Sequence, residues 1–150
     1  MLILMGRTAS GKTLVRDKLV KNNGFNSVVT YTTRPIRKGE IPNVTYHYIS
    51  EEDFLQKIES GFFAEWKKYI TTEGIWYYGS AKEDYEKADE NSVIILTPNG
   101  IRDIQKLGYD VTVIYLYSNI STINKRLDVR GDKKEEAERR IKTDISDFKD

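Results

Sequence analysis

Residues 6–13 constrain the fold of this chain more than any other part of the sequence. They read G-R-T-A-S-G-K-T and match the phosphate-loop pattern G-x-x-x-x-G-K-[ST]. An apolar run at 2–5 precedes them, and residues 13–23 have a helical pattern. A strand, a glycine turn and a helix in this order direct backbone N–H groups and the positive end of the helix at one anion. These flanking elements favour a nucleotide-phosphate site over the alternative, a glycine-containing turn with an unrelated lysine.

Each residue of this loop has a predicted part in holding ATP or GTP. Lys12 is expected to bridge the β- and γ-phosphates, and the Thr13 hydroxyl is expected to bind the Mg²⁺ ion that accompanies the nucleotide. Hydrolases, small-molecule kinases and switch proteins share such loops, so the loop alone does not identify the phosphate acceptor. The predicted nucleotide-binding residues are Gly6, Arg7, Thr8, Ala9, Ser10, Gly11, Lys12 and Thr13.

The composition is that of a single domain with little net charge. The hydrophobic content of 39% suffices for one core, and a chain of 150 residues is too short for two ordinary domains. Because 24 Lys and Arg stand against 23 Asp and Glu, no global field favours nucleic acid or a membrane as a partner. The sequence has no cysteine, and its N-terminal apolar run is too short for a signal peptide. A cytoplasmic protein without nucleic-acid or membrane partners is therefore expected.

Apolar runs alternate with segments of helical period, which predicts an α/β fold with a mainly parallel sheet. The expected strands lie at 2–5, from Val28 onward, at 93–96 and at 111–117. A helix is expected between the last two strands, with Ile101, Ile104 and Leu107 at helical spacing. Another helix is expected to begin at Ser50, whose position is typical of an N-cap.

Two more helices are predicted from their apolar positions. In the helix at 13–23, Leu14, Val15 and Leu19 are expected to face the core. The charged tail at 134–148 is also predicted to be helical, with only a narrow attachment to the core. Its expected apolar face consists of Ala137, Ile141, Ile145 and Phe148.

A second cluster of cations and phenols lies downstream of the loop. Residues 31–40 read Y-T-T-R-P-I-R-K-G-E, and Y-H-Y follows at 46–48. Arginine grips a phosphate through two parallel hydrogen bonds, and tyrosine hydroxyls add neutral donors. Arg34 and Arg37 are therefore candidate ligands of a second anion, the alternative being a solvated basic loop. His47, the single histidine, is interpreted as a surface strand residue and not as a catalytic base.

Four motifs in one order extend this interpretation. After the phosphate loop come T-T-R-x-x-R-x-G-E with a tyrosine beyond it, then G-F-F-x-E-W, then Y-Y-G-S. In this order the motifs resemble those of the guanylate kinase family, and the similarity runs from Leu2 to about Asp147. The resemblance implies a P-loop three-layer sandwich with a mainly parallel sheet, a small GMP-binding β subdomain and a helical lid. Within one domain at 1–150, it implies a core at about 1–29 and 81–120, an acceptor-binding subdomain at about 30–80 and a lid at about 121–142.

The same resemblance implies an activity and its partners. The activity is transfer of the ATP γ-phosphate to GMP or dGMP, giving GDP and ADP in purine nucleotide metabolism, with Mg²⁺ as the cofactor. Glu65 matches the family's glutamate that accepts hydrogen bonds from the adjacent N–H donors of guanine. Without the resemblance, Glu65 would be interpreted as an exposed carboxylate at a strand edge. The residues implied to bind GMP are Thr30, Arg34, Arg37, Tyr46, Glu65, Tyr78, Ser80 and Thr97.

The segment 125–140 is similar to the family's lid, in which a helix-loop-helix carries arginines onto the ATP phosphates. The transferred phosphoryl group is expected to be neutralised from the loop, the acceptor site and the lid together. The residues assigned a catalytic role are Lys12, Arg34, Arg126, Arg130 and Arg140, and Arg139 is a further lid candidate. The alternative is a salt-bridged pair of surface helices in which the partners are Glu135, Glu136 and Glu138.

The sequence departs from the family pattern at 94–100 and at the end of the chain. Where the family has L-D-I-D-x-x-G, this sequence reads I-I-L-T-P-N-G, so both aspartates are absent and Thr97 supplies no negative charge. The sequence stops after the lid helix, where the family continues with a strand and a helix beside the adenine pocket. A minimal variant and a missing piece are the two alternatives, and weak ATP affinity is expected.

Two other functions stay open at this point. The absent aspartates are compatible with a related P-loop kinase that phosphorylates another nucleotide or a sugar phosphate. The second alternative is a catalytically weak guanylate-kinase-like binding module. Such modules have decayed phosphate loops, whereas Gly11, Lys12 and Thr13 are all present here. An ATP:GMP phosphotransferase is therefore the prediction.

Overall fold

The structure, a computed structural model, describes residues 1–149 as two sheets with helices around them. The strands are β1 Leu2–Met5, β2 Asn26–Ser27, β3 Tyr31–Thr32, β4 His47–Tyr48, β5 Phe63–Ile70, β6 Ile75–Ala81, β7 Ser92–Ile95 and β8 Thr112–Tyr115. The helices are α1 Lys12–Asn23, α2 Glu51–Glu59, α3 Lys82–Lys87, α4 Pro98–Lys106, α5 Ile120–Arg130 and α6 Lys134–Asp147. None of these helices is long and apolar enough to cross a membrane.

The first strand lies inside a parallel sheet with the order β2-β7-β1-β8. Ile3 and Leu4 of β1 are fully buried, and Ile3 is in register with Ile94 of β7. A strand that is covered on both faces needs an unbroken apolar run, and β1 has one. The prediction of an α/β fold with a mainly parallel sheet is confirmed.

The strand β8 is shorter than the predicted strand at 111–117. Its ladder with β1 runs from the pair Leu2 and Thr112 to the pair Met5 and Tyr115. Because β1 ends at Met5 to enter the phosphate loop, β8 has no partner strand beyond Tyr115 among the described residues.

The second sheet has the order β4-β3-β6-β5, and β5 and β6 form an antiparallel hairpin within it. The helix α2 packs against this sheet through Phe54, whose ring stacks on Phe63 with 4.3 Å between centroids. The Ser50 hydroxyl accepts a hydrogen bond from the Asp53 amide at 3.1 Å, which confirms the predicted start of α2. This sheet therefore has its own small aromatic core, separate from that of the parallel sheet.

The predicted core-facing side of α1 is partly wrong. Leu14 is 60% exposed, whereas Val15 and Leu19 are half-buried. Val15 and Leu19 are four residues apart and share one face, while Leu14 lies about 100° around the helix from Val15. In α4, Ile101 and Ile104 are buried as predicted, but the helix ends at Lys106 and Leu107 is exposed.

The predicted apolar face of α6 also needs correction. Ile145 is 48% exposed, and the residue of α6 that is buried is Glu136. The polar face of α6 is turned inward because it lies over a polar cleft between the two sheets, and not over an apolar core. The residues of that face are Glu136, Arg139, Arg140, Thr143, Asp144 and Asp147.

Replacement of Ile104 tests the core that supports the parallel sheet. Ile104 is fully buried among neighbouring side chains, so Ile104→Ala should leave a cavity and lower the free energy of unfolding by about 2–5 kcal/mol. Urea denaturation measures this change. Leu107→Ala, at the exposed end of the same helix, is the matched control and should change the value by less than about 1 kcal/mol. Equal losses in the two variants would contradict the assigned core.

Candidate active site

The two sheets and α6 enclose a cleft of about 660 Å³. Lys12 at the start of α1, Arg34 and Arg37 after β3, and Arg130 and Arg140 of α5 and α6 all line this cleft. The sequence-predicted residues that line the cleft are Gly6, Thr8, Lys12, Thr13, Thr30, Arg34, Arg37, Tyr46, Glu65, Tyr78, Thr97, Arg130 and Arg140. The phosphate loop and the second basic segment therefore face the same space.

The phosphate loop has the geometry that its glycines require. Gly11 has a φ of 99°, and a β-carbon on Gly6 would lie 2.5 Å from the Leu116 carbonyl oxygen. Ser10 Oγ and Arg7 Nε are buried and have no hydrogen-bond partner within residues 1–149. Buried donors without partners are rare in folded proteins, but neither residue lines the cleft, so these two groups are not assigned to a ligand there.

Lys12 is folded back onto its own loop. Its Nζ donates to the carbonyl oxygens of Gly6 at 2.6 Å and Arg7 at 2.7 Å. Burial lowers the pKa of Lys12 to about 8, although the nearby carboxylate of Asp144 opposes this shift. The lysine therefore stays largely protonated at neutral pH and can exchange its carbonyl partners for phosphate oxygens.

Arg34 lines the cleft and is held in place by its neighbours. It is 5% exposed, and its guanidinium makes a bidentate ion pair with Glu40, at 2.7 and 3.1 Å. Its Nε donates to the Tyr78 hydroxyl at 3.1 Å, and its guanidinium lies 5.6 Å from the centre of the Tyr46 ring. The Arg37 side chain is exposed at the edge of this pocket and makes no ion pair within residues 1–149.

The role of Glu40 was not predicted, although it belongs to the quoted motif. Besides Arg34, it accepts hydrogen bonds from the Tyr48 hydroxyl at 2.7 Å and the Arg37 amide at 2.8 Å. Burial raises the pKa of Glu40, but these hydrogen bonds outweigh it and bring the pKa to about 2. The signal available in the sequence was the conjunction of an acid and two arginines within one short loop.

Glu65 also lines the cleft, but in a different environment. It pairs across the β5–β6 hairpin with Ser80, whose hydroxyl donates to Glu65 Oε1 at 2.5 Å. Burial raises the pKa of Glu65 to about 7, against the Ser80 hydrogen bond. Ser80 itself is fully buried behind Glu65 and does not line the cleft, so it positions the carboxyl. A β-carbon on Gly100 would lie 3.1 Å from Glu65 Oε2, so this glycine leaves room for the acid.

Thr97 lines the cleft near Glu65, but its hydroxyl has a structural task. It accepts a hydrogen bond from the Gly100 amide at 3.2 Å and is the N-cap of α4. Pro98 at the first helical position suits this start. Threonine therefore replaces the expected aspartate as a cap, while negative charge at this end of the cleft comes from Glu65.

The lid arginines separate into two groups. Arg126, which was expected over the ATP phosphates, does not line the cleft. Its Nη1 donates hydrogen bonds to the Ala9 carbonyl oxygen at 2.8 Å and to Ser118 Oγ at 3.1 Å. The reason is its place in the middle of α5, on the face packed against the loop, whereas Arg130 at the helix end extends past it. Arg126 therefore supports the loop from outside.

The arginines that do line the cleft are paired with acids. Arg130 makes an ion pair with Asp132 at 2.5 Å, and Arg140 pairs with both Asp132 and Glu136. Arg139 donates to Glu136 at 2.7 Å, and this hydrogen bond is the main cause of a Glu136 pKa of about 2. The salt-bridged alternative from the sequence describes the contacts of Arg139 and Arg140, which share Glu136, whereas Arg130 pairs with Asp132, an acid that the alternative did not name.

Sequence reasoning also missed other cleft residues, among them two aspartates of α6 and a tyrosine of β5. Asp144 Oδ2 accepts a hydrogen bond from the Thr8 amide at 2.7 Å, and Asp147 pairs with Lys67 of β5 at 2.6 Å. Tyr69 of β5 lies edge-on to Tyr78, with 5.5 Å between ring centroids. The spacing of four and seven residues from Arg140 places both aspartates on the arginine face of α6, which was the available signal.

The fold and the cleft together define a P-loop α/β protein in which the phosphate loop and a second cluster of arginines face one cleft, the class that includes nucleotide phosphotransferases. A family model described as guanylate kinase matches residues 1–149. The chain belongs to the guanylate kinase family.

Similar proteins agree with this assignment. The guanylate kinase of Sulfurimonas denitrificans is 32% identical over 148 residues, which cover 93% of this chain and 69% of that protein. The guanylate kinase of Wolinella succinogenes is 34% identical over 148 residues, which cover 93% of this chain and 66% of that protein. The crystal structure of guanylate kinase from Anaplasma phagocytophilum shares the fold, with a TM-score of 0.66 and 20% identity over 99% of this chain and 73% of that one.

The Arg34–Glu40 pair predicts a change of stability with pH. Because the pKa of Glu40 is lowered from 4.5 to about 2, the ionised carboxylate stabilises the fold at neutral pH, and this contribution is lost as the pH falls through that window. Glu40→Gln should therefore show a smaller drop in unfolding free energy between about pH 7 and about pH 3 than the wild type. Urea denaturation at both pH values measures the drop. Glu138→Gln, an exposed acid on α6, should behave as the wild type; a drop in Glu40→Gln as large as in the wild type would refute the role of the pair.

Proposed function

We propose that this chain transfers the γ-phosphate of ATP to GMP or dGMP, giving GDP and ADP. The observation that carries the proposal is that Lys12 of the phosphate loop and the arginine pair Arg34 and Arg37 line one cleft. Two phosphate groups held there would lie end to end, as in-line transfer requires. Membership of the guanylate kinase family supports the choice of substrates.

The donor phosphates are assigned to the loop at 6–13. Its backbone N–H groups and Lys12 would bind the phosphate oxygens. Mg²⁺ is usually held by one or two protein oxygens together with water and substrate phosphates, so the Thr13 hydroxyl in the cleft fits an ion that arrives with ATP. Such an ion would neutralise charge on the transferred group.

The acceptor is assigned to the second basic segment. Arg34 and Arg37 would grip the GMP phosphate with the hydroxyls of Tyr46 and Tyr78, and Arg34 is already oriented by Glu40. Glu65, Thr30 and Thr97 are proposed to lie beside the base, with Ser80 holding the Glu65 carboxyl in position. When ionised, the Glu65 carboxylate accepts from the N1–H and N2 amine of guanine, whereas adenine has an acceptor at N1.

The helical segment at about 121–142 is proposed to act as a lid. Arg130 and Arg140 are close enough to the cleft to exchange their acids for γ-phosphate oxygens, while Arg126 positions the loop. Closure excludes water and so disfavours hydrolysis of ATP. Catalysis in this scheme comes from positioning and charge, with no covalent enzyme intermediate. The nucleotide substrates also support a cytoplasmic location.

The substrate assignment is tested by measuring ADP release from ATP with each nucleoside monophosphate in a coupled assay. The highest kcat/KM is expected with GMP or dGMP, because their base donors match Glu65. Lys12→Ala should lower kcat/KM by about a hundredfold or more, since it removes charge from the transferred phosphoryl group. Equal turnover of AMP, CMP, UMP and GMP would show that the acceptor has been assigned wrongly.

Glu65 gives a second prediction, on the pH dependence of GMP binding. Only the ionised carboxyl accepts both guanine donors, and its pKa is about 7, so GMP affinity should rise between about pH 6 and about pH 8. Glu65→Gln should weaken GMP binding about ten- to a hundredfold at the upper pH, the equivalent of one charged hydrogen bond. It should also remove the part of the pH dependence that is due to the protein.

Calorimetry with GMP alone measures both effects. The phosphate group of GMP ionises with a pKa of about 6, but this change is common to both proteins and cancels in their comparison. Glu73→Gln, which alters an exposed acid at the rim of the cleft, is the matched control and should bind GMP as the wild type does. Identical pH profiles for the wild type and Glu65→Gln would remove Glu65 from the base site.

A further inference from the structure

Asp144 of α6 is hydrogen-bonded to a backbone N–H group that the proposed donor site would use for phosphate. Asp144 Oδ2 accepts the hydrogen bond of the Thr8 amide at 2.7 Å, although the two residues are 136 positions apart. Thr8 belongs to the phosphate loop, and the Asp144 side chain is half-buried where it meets the loop. Among residues 1–149, Asp144 is the side-chain acid that hydrogen-bonds a backbone N–H group of this loop.

The Asp144 carboxylate accepts from the loop in the same way as a bound phosphate would. A phosphate loop binds anions through backbone N–H groups and a lysine, and a carboxylate presents the same type of charged oxygen to them. Lys12 is near enough to Asp144 for the two charges to affect each other's pKa, while its Nζ donates to loop carbonyls. In this state, the Thr8 amide and Lys12 are thus both satisfied from within the protein.

Neighbouring contacts hold Asp144 in this position. One turn further along α6, Asp147 pairs with Lys67 of β5 at 2.6 Å. Two turns before it, Glu136 accepts a hydrogen bond from the Thr72 hydroxyl at 3.1 Å. The helix α6 is therefore fastened to the acceptor-side hairpin at two points, and Asp144 between them reaches the donor-side loop.

We propose that Asp144 is an internal competitor of the donor nucleotide, which must release the Thr8 amide before an ATP phosphate can take it. One N–H group serves one strong acceptor, and two anions beside it repel each other, so carboxylate and phosphate exclude one another there. Displacement of Asp144 would also free α6 from the loop, so that donor binding and lid rearrangement become one event. The inference rests on the donor assignment proposed above.

The test is the affinity of a non-hydrolysable ATP analogue, measured by calorimetry on the whole chain. Asp144→Asn keeps the shape of the side chain and removes its charge, and it should tighten analogue binding about tenfold. Asp144→Ala, which removes the acceptor altogether, should tighten it at least as much. GMP affinity should stay within about twofold of the wild type in both variants.

A matched control separates competition at Thr8 from a general effect of charge. Asp17 lines the same cleft, lies on α1 and pairs with Arg16 at 2.9 Å, so Asp17→Asn removes one negative charge without touching the loop amide. Its affinity for the analogue should remain close to that of the wild type. An equal gain in Asp17→Asn would overturn the proposal, as would unchanged or weaker binding in both Asp144 variants.

Hydrogen exchange of the Thr8 amide gives a readout that does not involve nucleotide. In the free wild-type protein this amide should be protected, and in Asp144→Ala it should exchange at least about tenfold faster while amides of β1 keep their protection. Asp144→Asn keeps an amide oxygen that accepts the same hydrogen bond, so its Thr8 amide should exchange no faster than that of Asp144→Ala. Unchanged exchange in Asp144→Ala would overturn the proposal even if affinities shift. If no form of the protein binds the analogue, the donor assignment itself fails, and the exchange rates alone decide the Asp144 contact.

Discussion

The gathering of cations around one cleft is the constraint on which the rest of this structure depends. Lys12, Arg34 and the arginines of the helical segment approach from three parts of the fold, and like charges at such separations repel. The protein supplies the counter-charges itself, with Glu40 on Arg34, Glu136 on the lid arginines and Asp144 at the loop. In the proposed function, Glu136 and Asp144 would give up their partners to substrate anions, whereas Glu40 would stay on Arg34 and orient it. The free energy of substrate binding would then be the difference between the internal and the external contacts.

Two glutamates that line the cleft have their pKa values shifted in opposite directions. Glu40 is surrounded by hydrogen-bond donors, and its pKa is about 2. Glu65 is buried beside a neutral hydroxyl, and its pKa is about 7. A permanently charged acid is suited to holding an arginine in place, whereas an acid that titrates near neutrality responds to a ligand that offers N–H donors. In the proposed function, the environments of the two acids would separate orientation of the phosphate site from recognition of a base.

Local sequence patterns predicted which segments form helices and strands better than they predicted which side of each helix is buried. The strand at 2–5, the Ser50 cap of α2 and the buried pair in α4 follow from neighbouring residues, and the structure confirms them. The expected burial of Leu14 and Ile145 is wrong because periodicity shows which residues share a face and not what that face meets. For α6 the partner is a polar cleft, so its charged face is the one turned inward.

The sequence by itself determined the phosphate loop, because eight consecutive residues and the strand and helix beside them set its backbone geometry. It also indicated the second arginine cluster, whose residues lie within one short loop. Only the tertiary structure decided that Arg126 lies behind the loop and Arg130 in the cleft, and that Asp144 meets Thr8. Those contacts join residues more than a hundred positions apart, and the packing of α5 and α6 against the sheets sets their distances. No local pattern contains that information.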